Sequence, residues 1–278
     1  MIARSRSLVD LPRLGIFAVV AIGLLACAPK REEYVERPVE ELYNLAMDEL
    51  HAANYVSAGK KFEEVERQHP YSVWAVKAQL MAAYASYQIN KFDDAILAAQ
   101  RFIQLYPANR DVAYAYYLVA LSYYEQISDV GRDQKMTDLA LSALDEVIRR
   151  FPTSEYARDA RLKVDLARDH LAGKEMEIGR FYLKRGLHVG AINRFRRVIE
   201  SYQTTTHVPE ALHRLAEAYA GLGVIEEARA AAAVLGYNYP GSEWYLESYR
   251  LLSNLGQRPQ VDDQSWMTRL FASDAKGR

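Results

Sequence analysis

The side chains able to do chemistry are few here, and their spacing argues against catalysis. Six histidines are spread over 278 residues. Only His207 and His213 are near neighbours, and a spacing of six does not place two ligands on one helical face. Gly59-Lys60-Lys61 lacks the upstream glycine and the following hydroxyl of a phosphate-binding loop. Carboxylates are plentiful but follow the solvent face of an amphipathic pattern, which suits solvation better than acid–base work. What remains is recognition chemistry. The stretch from Ile178 to Ile199 has no acid and six cations, Arg180, Lys184, Arg185, Arg194, Arg196 and Arg197. One reading is a solvated face, although such faces usually mix signs; the other is a docking surface whose guanidinium forks suit a partner's carboxylates. A second group is the tyrosine crowd Tyr84, Tyr87, Tyr114, Tyr116, Tyr117, Tyr123 and Tyr124. Most suit core positions, while those at a rim would stack on or hydrogen-bond an extended peptide. Tyr84, Tyr87, Tyr114 and Tyr117 are the candidates for that role.

Cys27 is the only cysteine, so neither a disulfide nor a thiolate metal site is available. It closes Leu24-Leu25-Ala26-Cys27 at the end of an uncharged run from Leu14, preceded by Arg4, Arg6 and Arg13. That layout is an export signal, and the run is shorter than the roughly 20 apolar residues of a spanning helix. The tetrapeptide resembles the lipobox of bacterial lipoprotein precursors, which implies cleavage after residue 26 and acylation of Cys27. More than one acyl chain makes such attachment stable. Ala28 is not the Asp that commonly causes inner-membrane retention among such lipoproteins, which points to the outer membrane. Cleavage takes away three basic residues and one acid, leaving 32 Lys and Arg against 35 Asp and Glu, about three net negative charges. Nucleic acid would favour a strongly basic domain and is not an expected partner. No cofactor is implied.

The elements that must position these groups repeat. Take Ala58, Ala95, Ala140, Ala191 and Ala228 as a ruler. Four residues on stand Phe62, Ala99, Leu144, Phe195 and Ala232; seven on, Val65, Phe102, Val147, Val198 and Leu235; twelve on, Pro70, Pro107, Pro152, Gln203 and Pro240. The first three steps make one apolar helix face, and the proline requires that this helix has ended. A second apolar helix precedes each alanine, with small residues before an aromatic, as in Ile178-Gly179 and Tyr182. Two helices per unit and a terminal proline match the tetratricopeptide pattern. The fold class is therefore all-α, a superhelical solenoid of five helix-turn-helix units.

Successive ruler alanines are 37, 45, 51 and 37 residues apart. The first excess falls at Gln126 to Gln134 and reads as a lengthened loop. The second adds about four turns to the first helix of the fourth unit, keeping Tyr156, Ala160, Val164, Ala167, Leu171, Ile178 and Tyr182 in phase. The spacing predicts one elongated helix from about Ser154 to Arg185, with Gly173 a possible bend. The organisation expected is a signal peptide at 1–26, a lipidated N-terminus and linker at 27–40, an N-terminal array at 41–153, the long helix and C-terminal array at 154–253, and a mobile tail at 254–278. Within that tail, Ser265 to Phe271 has the alternative of a short amphipathic helix.

Lipobox, five units, lengthened third and fourth units, and the string from Arg180 through Phe181-Tyr182 and Arg185-Gly186 to Ala191-Ile192-Asn193-Arg194 together resemble the BamD family, lipoprotein subunits of the outer-membrane β-barrel assembly machine. Asp129 to Asp133 is similar to that family's Asp-x-x-Arg-Asp loop. The resemblance implies no enzyme activity, a place on the periplasmic face of the outer membrane, and binding of the barrel subunit BamA through the C-terminal units. It also implies receipt of unfolded barrel precursors by the N-terminal units. Asn193 and Arg194 fall on the family's contact with BamA, with Arg185 and Arg197 nearby. A periplasmic repeat lipoprotein coordinating cell-wall synthesis is the alternative, and the sequence shows no sustained heptads of the kind usual there. A lytic transglycosylase would need a further catalytic domain, for which the 25 residues after 253 are too few.

Overall fold

Pro-x-Ser is the local device that joins one unit to the next. In the computed structural model, which describes residues 36–276, Ser72, Ser154 and Ser242 each follow such a proline by two residues and cap the next helix, accepting from the backbone N–H of Ala75, Ala157 and Trp244. A side-chain oxygen here satisfies one of the free N–H groups that open a helix. Just before the proline the backbone leaves the helix in one way five times. His69, Tyr106, Phe151, Tyr202 and Tyr239 all lie at φ between −135° and −129° with ψ between 43° and 58°. Tyr202 does so although Gln203 replaces the proline, so neighbouring packing suffices to hold the turn. Residues 1–35, including the expected signal at 1–26, Cys27 and most of the linker, lie outside the described residues.

The described chain is helical throughout. The helices are α1 (Val39–His51), α2 (Tyr55–Gln68), α3 (Val73–Gln88), α4 (Phe92–Leu105), α5 (Val112–Tyr124), α6 (Lys135–Arg150), α7 (Glu155–Lys184), α8 (His188–Ser201), α9 (Val208–Gly221), α10 (Ile225–Asn238), α11 (Glu243–Asn254) and α12 (Trp266–Lys276). Each ruler alanine sits in the second helix of a pair, α2, α4, α6, α8 or α10, and each is fully buried, as are the residues four positions on. The residues seven on are buried too. First helices of neighbouring units touch one another, whereas second helices pack chiefly on the first helices beside them. That asymmetry puts the first helices on the inside of the curve, as in other stacked helix pairs.

The elongated helix is present as expected, from Glu155 to Lys184 with Ser154 as N-cap and Arg185 as C-cap. Its two halves belong to different cores. Ala160 and Val164 pack with Ala120, Leu144 and Val147, while Ala172 and Met176 pack with Phe195, Ile199 and Leu212. Gly173 has a packing role rather than serving merely as a bend point: a Cβ there would lie 3.3 Å from His207 Nε2 and 3.6 Å from Val130 Cγ1. The lengthened loop at 126–134 and the turn before α9 thus close on α7 at the point where its allegiance changes. Asp129 braces that loop by accepting from Gly131 N–H at 2.8 Å.

Of the two readings of the segment after 254, the structure carries the short helix: residues 266–276 form α12, with Met267 fully buried and Trp266, Leu270 and Phe271 packed on the C-terminal core. The last unit leaves an apolar flank with no following unit, and α11 and α12 cover it.

Gly179, at the crossing of α7 and α8, has no room for a methyl group, since a Cβ would lie 2.4 Å from the Phe195 ring. Gly179→Ala should therefore destabilise the protein by about 1–3 kcal/mol through overpacking, read as a lower midpoint in thermal or urea unfolding.

Candidate functional site

Glu175 organises the basic stretch. It lies on α7 one turn after Leu171 and one before Gly179, on the buried face, and its side chain is 11% exposed. Its two oxygens accept from Arg194 Nη1 and Arg197 Nη1, each at 3.0 Å. A carboxylate so enclosed needs charged donors, and α8 supplies two, one turn apart. Carboxylates are thus not all on the solvent face. The acid-free run is local to the sequence only: Glu175 precedes it, Glu210 takes Arg180 at 3.0 Å, and Glu200 takes Arg196 at 2.6 Å. Each guanidinium nevertheless has five N–H groups, so donors remain for a ligand.

Asn193, Arg194 and Arg197 come together, with Arg196, Tyr182, Gly190 and Glu200, around an open cleft of about 650 Å³ on the outer face of α8. Arg185 does not line it. It caps the C-terminus of α7 and lies exposed over Phe181, 4.3 Å from the ring centre. Sequence reasoning missed Glu175, although an acid four residues after Leu171, in a helix read as apolar on that face, was the available signal.

The tyrosines form a second surface. Tyr84 and Tyr87 on α3 and Tyr114 and Tyr117 on α5 are all half-buried rather than core. Tyr156, at the start of α7, completes the group, with ring centres 5.5 Å from Tyr114 and 5.3 Å from Tyr117. Tyr87 Oη donates to Glu125 Oε1 at 3.2 Å, and Tyr117 Oη donates to Asp159 Oδ2. Burial, then the Glu125 carboxylate, push the Tyr87 phenol up to about 12. Burial followed by Asp159 raises Tyr117 further, and burial with the neighbouring phenols raises Tyr114. Tyr87, Tyr114 and Tyr117 stay protonated at neutral pH. Tyr116 and Tyr123 face elsewhere, lining an open groove between α4 and α6.

The two neighbouring histidines do unrelated work. His207 Nε2 is 3.6 Å from Asp169 Oδ2 beside Gly173. His213 is buried, with Nδ1 2.9 Å from Ser248 Oγ, and burial lowers its pKa. No group of three or more potential ligands fit to hold a metal ion occurs among the described residues, nor is any described helix long and apolar enough to cross a membrane.

Oriented guanidiniums and clustered phenols are carried on stacked helix pairs, and the class is a helical-repeat scaffold. Comparison with known proteins gives the family. The family model described as YfiO, outer membrane lipoprotein, matches residues 35–235. The outer membrane protein assembly factor BamD of Caulobacter vibrioides is 53% identical over 256 residues, covering 90% of this chain and 84% of the relative. That of Rickettsia prowazekii is 47% identical, covering 85% and 96%. The chain belongs to the BamD family of outer membrane lipoproteins. Its helical-repeat fold is similar to that of the TPR2AB domain of yeast Sti1 in its pHSP90 complex, at TM-score 0.42 and 12% identity over 78% of this chain and 84% of that one.

Two outcomes follow. Glu175→Ala should cost about 1–3 kcal/mol, since it strips a charged acceptor from two arginines, measurable by urea unfolding. The raised phenols set an alkaline limit. Below pH 10 tyrosines are protonated in folded and unfolded chain alike; between about 10 and 12 the unfolded chain releases protons first. Stability should therefore fall as pH rises through that window, seen as a decreasing melting temperature, and a Tyr87→Phe Tyr117→Phe double variant should show a shallower fall.

Proposed function

We propose that this chain is the lipid-anchored scaffold subunit of the outer-membrane β-barrel assembly complex, with units four and five, residues 154–253, bound to the barrel subunit BamA. Asn193, Arg194 and Arg197 make the contact, with Arg185 at its margin. The observation that carries this reading is the cleft on α8, where the buried Glu175 holds two guanidiniums in place within a chain whose relatives are named assembly factors. A charge fixed before binding loses less freedom when a partner arrives.

The N-terminal array, residues 41–153, receives unfolded barrel precursors on the surface of Tyr84, Tyr87, Tyr114 and Tyr117. Half-buried rings and their hydroxyls offer stacking and hydrogen bonds to an extended strand without a fixed side-chain code. Lipidation at Cys27 keeps both surfaces at the periplasmic face of the outer membrane.

Arg194→Glu should reduce recovery of BamA on pull-down by about tenfold or more, in keeping with truncated interfacial charges; because it also sets a carboxylate against Glu175, the variant should melt lower than the parent yet keep its helical circular dichroism at the assay temperature. Undiminished recovery would reject the assignment. Cys27→Ser should move the protein out of the outer-membrane fraction without altering its fold; a fully membrane-bound Cys27→Ser form would mean that partners rather than lipid do the holding. A photo-crosslinker at position 84 or 114 should capture barrel precursors, and its failure to capture any during active export counts against the phenol surface.

A further inference from the structure

The grooves between successive second helices are open in the N-terminal units, about 560 Å³ between α2 and α4 and about 480 Å³ between α4 and α6. Between α8 and α10 the chain fills the groove itself. Coming from α11, it anchors on α10, where Ser265 Oγ donates to Glu227 Oε2 at 3.0 Å, and it buries Met267 completely. It then reaches α8, where the Arg196 guanidinium carbon lies 4.5 Å from the centre of the Trp266 ring. Arg196 lines the same cleft as Arg194 and Arg197. Both terminal helices lie beyond residue 235, where the match to the family model ends.

We propose that α12 is a positioning strap for the partner cleft: Trp266 holds Arg196 beside Arg194 and Arg197, so that three oriented guanidiniums face an acidic surface of the partner protein. The proposal rests on the partner reading above. Glu175 and Glu200 are the only carboxylates among the residues bonded to these three arginines in the described contacts, which leaves one positive charge uncompensated and favours an acidic ligand. An arginine side chain is rich in rotamers. Stacking on an indole at one face and Glu200 at one edge leave Arg196 few of them, while the guanidinium stays half-exposed to a ligand. Trp266 acts through Arg196 and is a positioning residue.

The test uses the full-length chain in mild detergent and the periplasmic domains of BamA as the probe, with affinity measured for Trp266→Ala, Arg196→Gln, the double variant and Trp266→Phe. Trp266→Ala and Arg196→Gln should each weaken binding about three- to fivefold, the double variant no more than Arg196→Gln alone, and Trp266→Phe less than about twofold, since it keeps a ring face. Wild-type affinity for Trp266→Ala, or losses that multiply in the double variant, would overturn the strap. If Trp266→Ala melts far below the parent, Arg196→Gln decides alone: unchanged affinity rejects the proposal, and a loss that high salt abolishes supports it. Arg194→Glu, run beside them, separates the two levels. Undiminished binding there removes the partner reading itself, whereas loss with Arg194→Glu but none with Trp266→Ala removes only the strap.

Discussion

No helix pair in this chain can bury its apolar face alone. The face defined by a ruler alanine and the residues four and seven positions on is fully enclosed only because the first helix of the next unit lies against it. Small residues at the crossings set how closely helices approach, and at Gly179 the aromatic ring of Phe195 occupies the space a side chain would take. Everything else is hung on that stack. Stability is nearest-neighbour in character, so the ends and the joints between units are where the chain must add something. It does so at three places: the loop at 126–134, the lengthened α7 and the two terminal helices.

The α8 cleft and the tyrosine group inherit their geometry from the same packing. Arg194 and Arg197 stand one turn apart on α8, and the crossing of α7 over α8 brings Glu175 beneath both. Buried carboxylates are costly without charged donors, so the pairing constrains both partners. The tyrosines work by another route. Neighbouring first helices touch on the inner side, which brings rings from α3, α5 and α7 into one group, and burial raises the Tyr87, Tyr114 and Tyr117 phenols above the ordinary tyrosine value. One surface offers charge and the other offers stacking and neutral donors. They sit in parts of the chain with separate cores, linked by α7.

The C-terminal end shows how an open repeat is closed. The fifth unit has no sixth, and an exposed apolar flank invites association. Residues after 254 return across α10 toward α8, burying Met267 and setting Trp266 on Arg196. A reading that counts only repeat signatures treats this segment as a tail, because Trp266, Met267, Leu270 and Phe271 supply barely two turns of amphipathic pattern and no repeat partner. Their burial depends on a groove formed by helices about 40 and 70 residues earlier, which local pattern cannot reveal.

The sequence by itself determined the helical class, the five units, the boundaries of α7 and the ends of the second helices, because these follow from local periodicity, serine caps and the backbone restriction before proline. Family resemblance was legible for the same reason: its marks are short strings such as Ala191-Ile192-Asn193-Arg194. Only the tertiary structure decided which charges are paired. Glu175 is 19 and 22 residues from its arginines and Glu210 is 30 from Arg180, so a run that reads as uncompensated cation is largely bonded in space. It also decided that Tyr156 joins the phenols, that Arg185 stands apart from the α8 cleft, and that the last helix is packed. Each depends on how stacked helices cross, and the crossing is fixed by contacts between residues far apart in the chain.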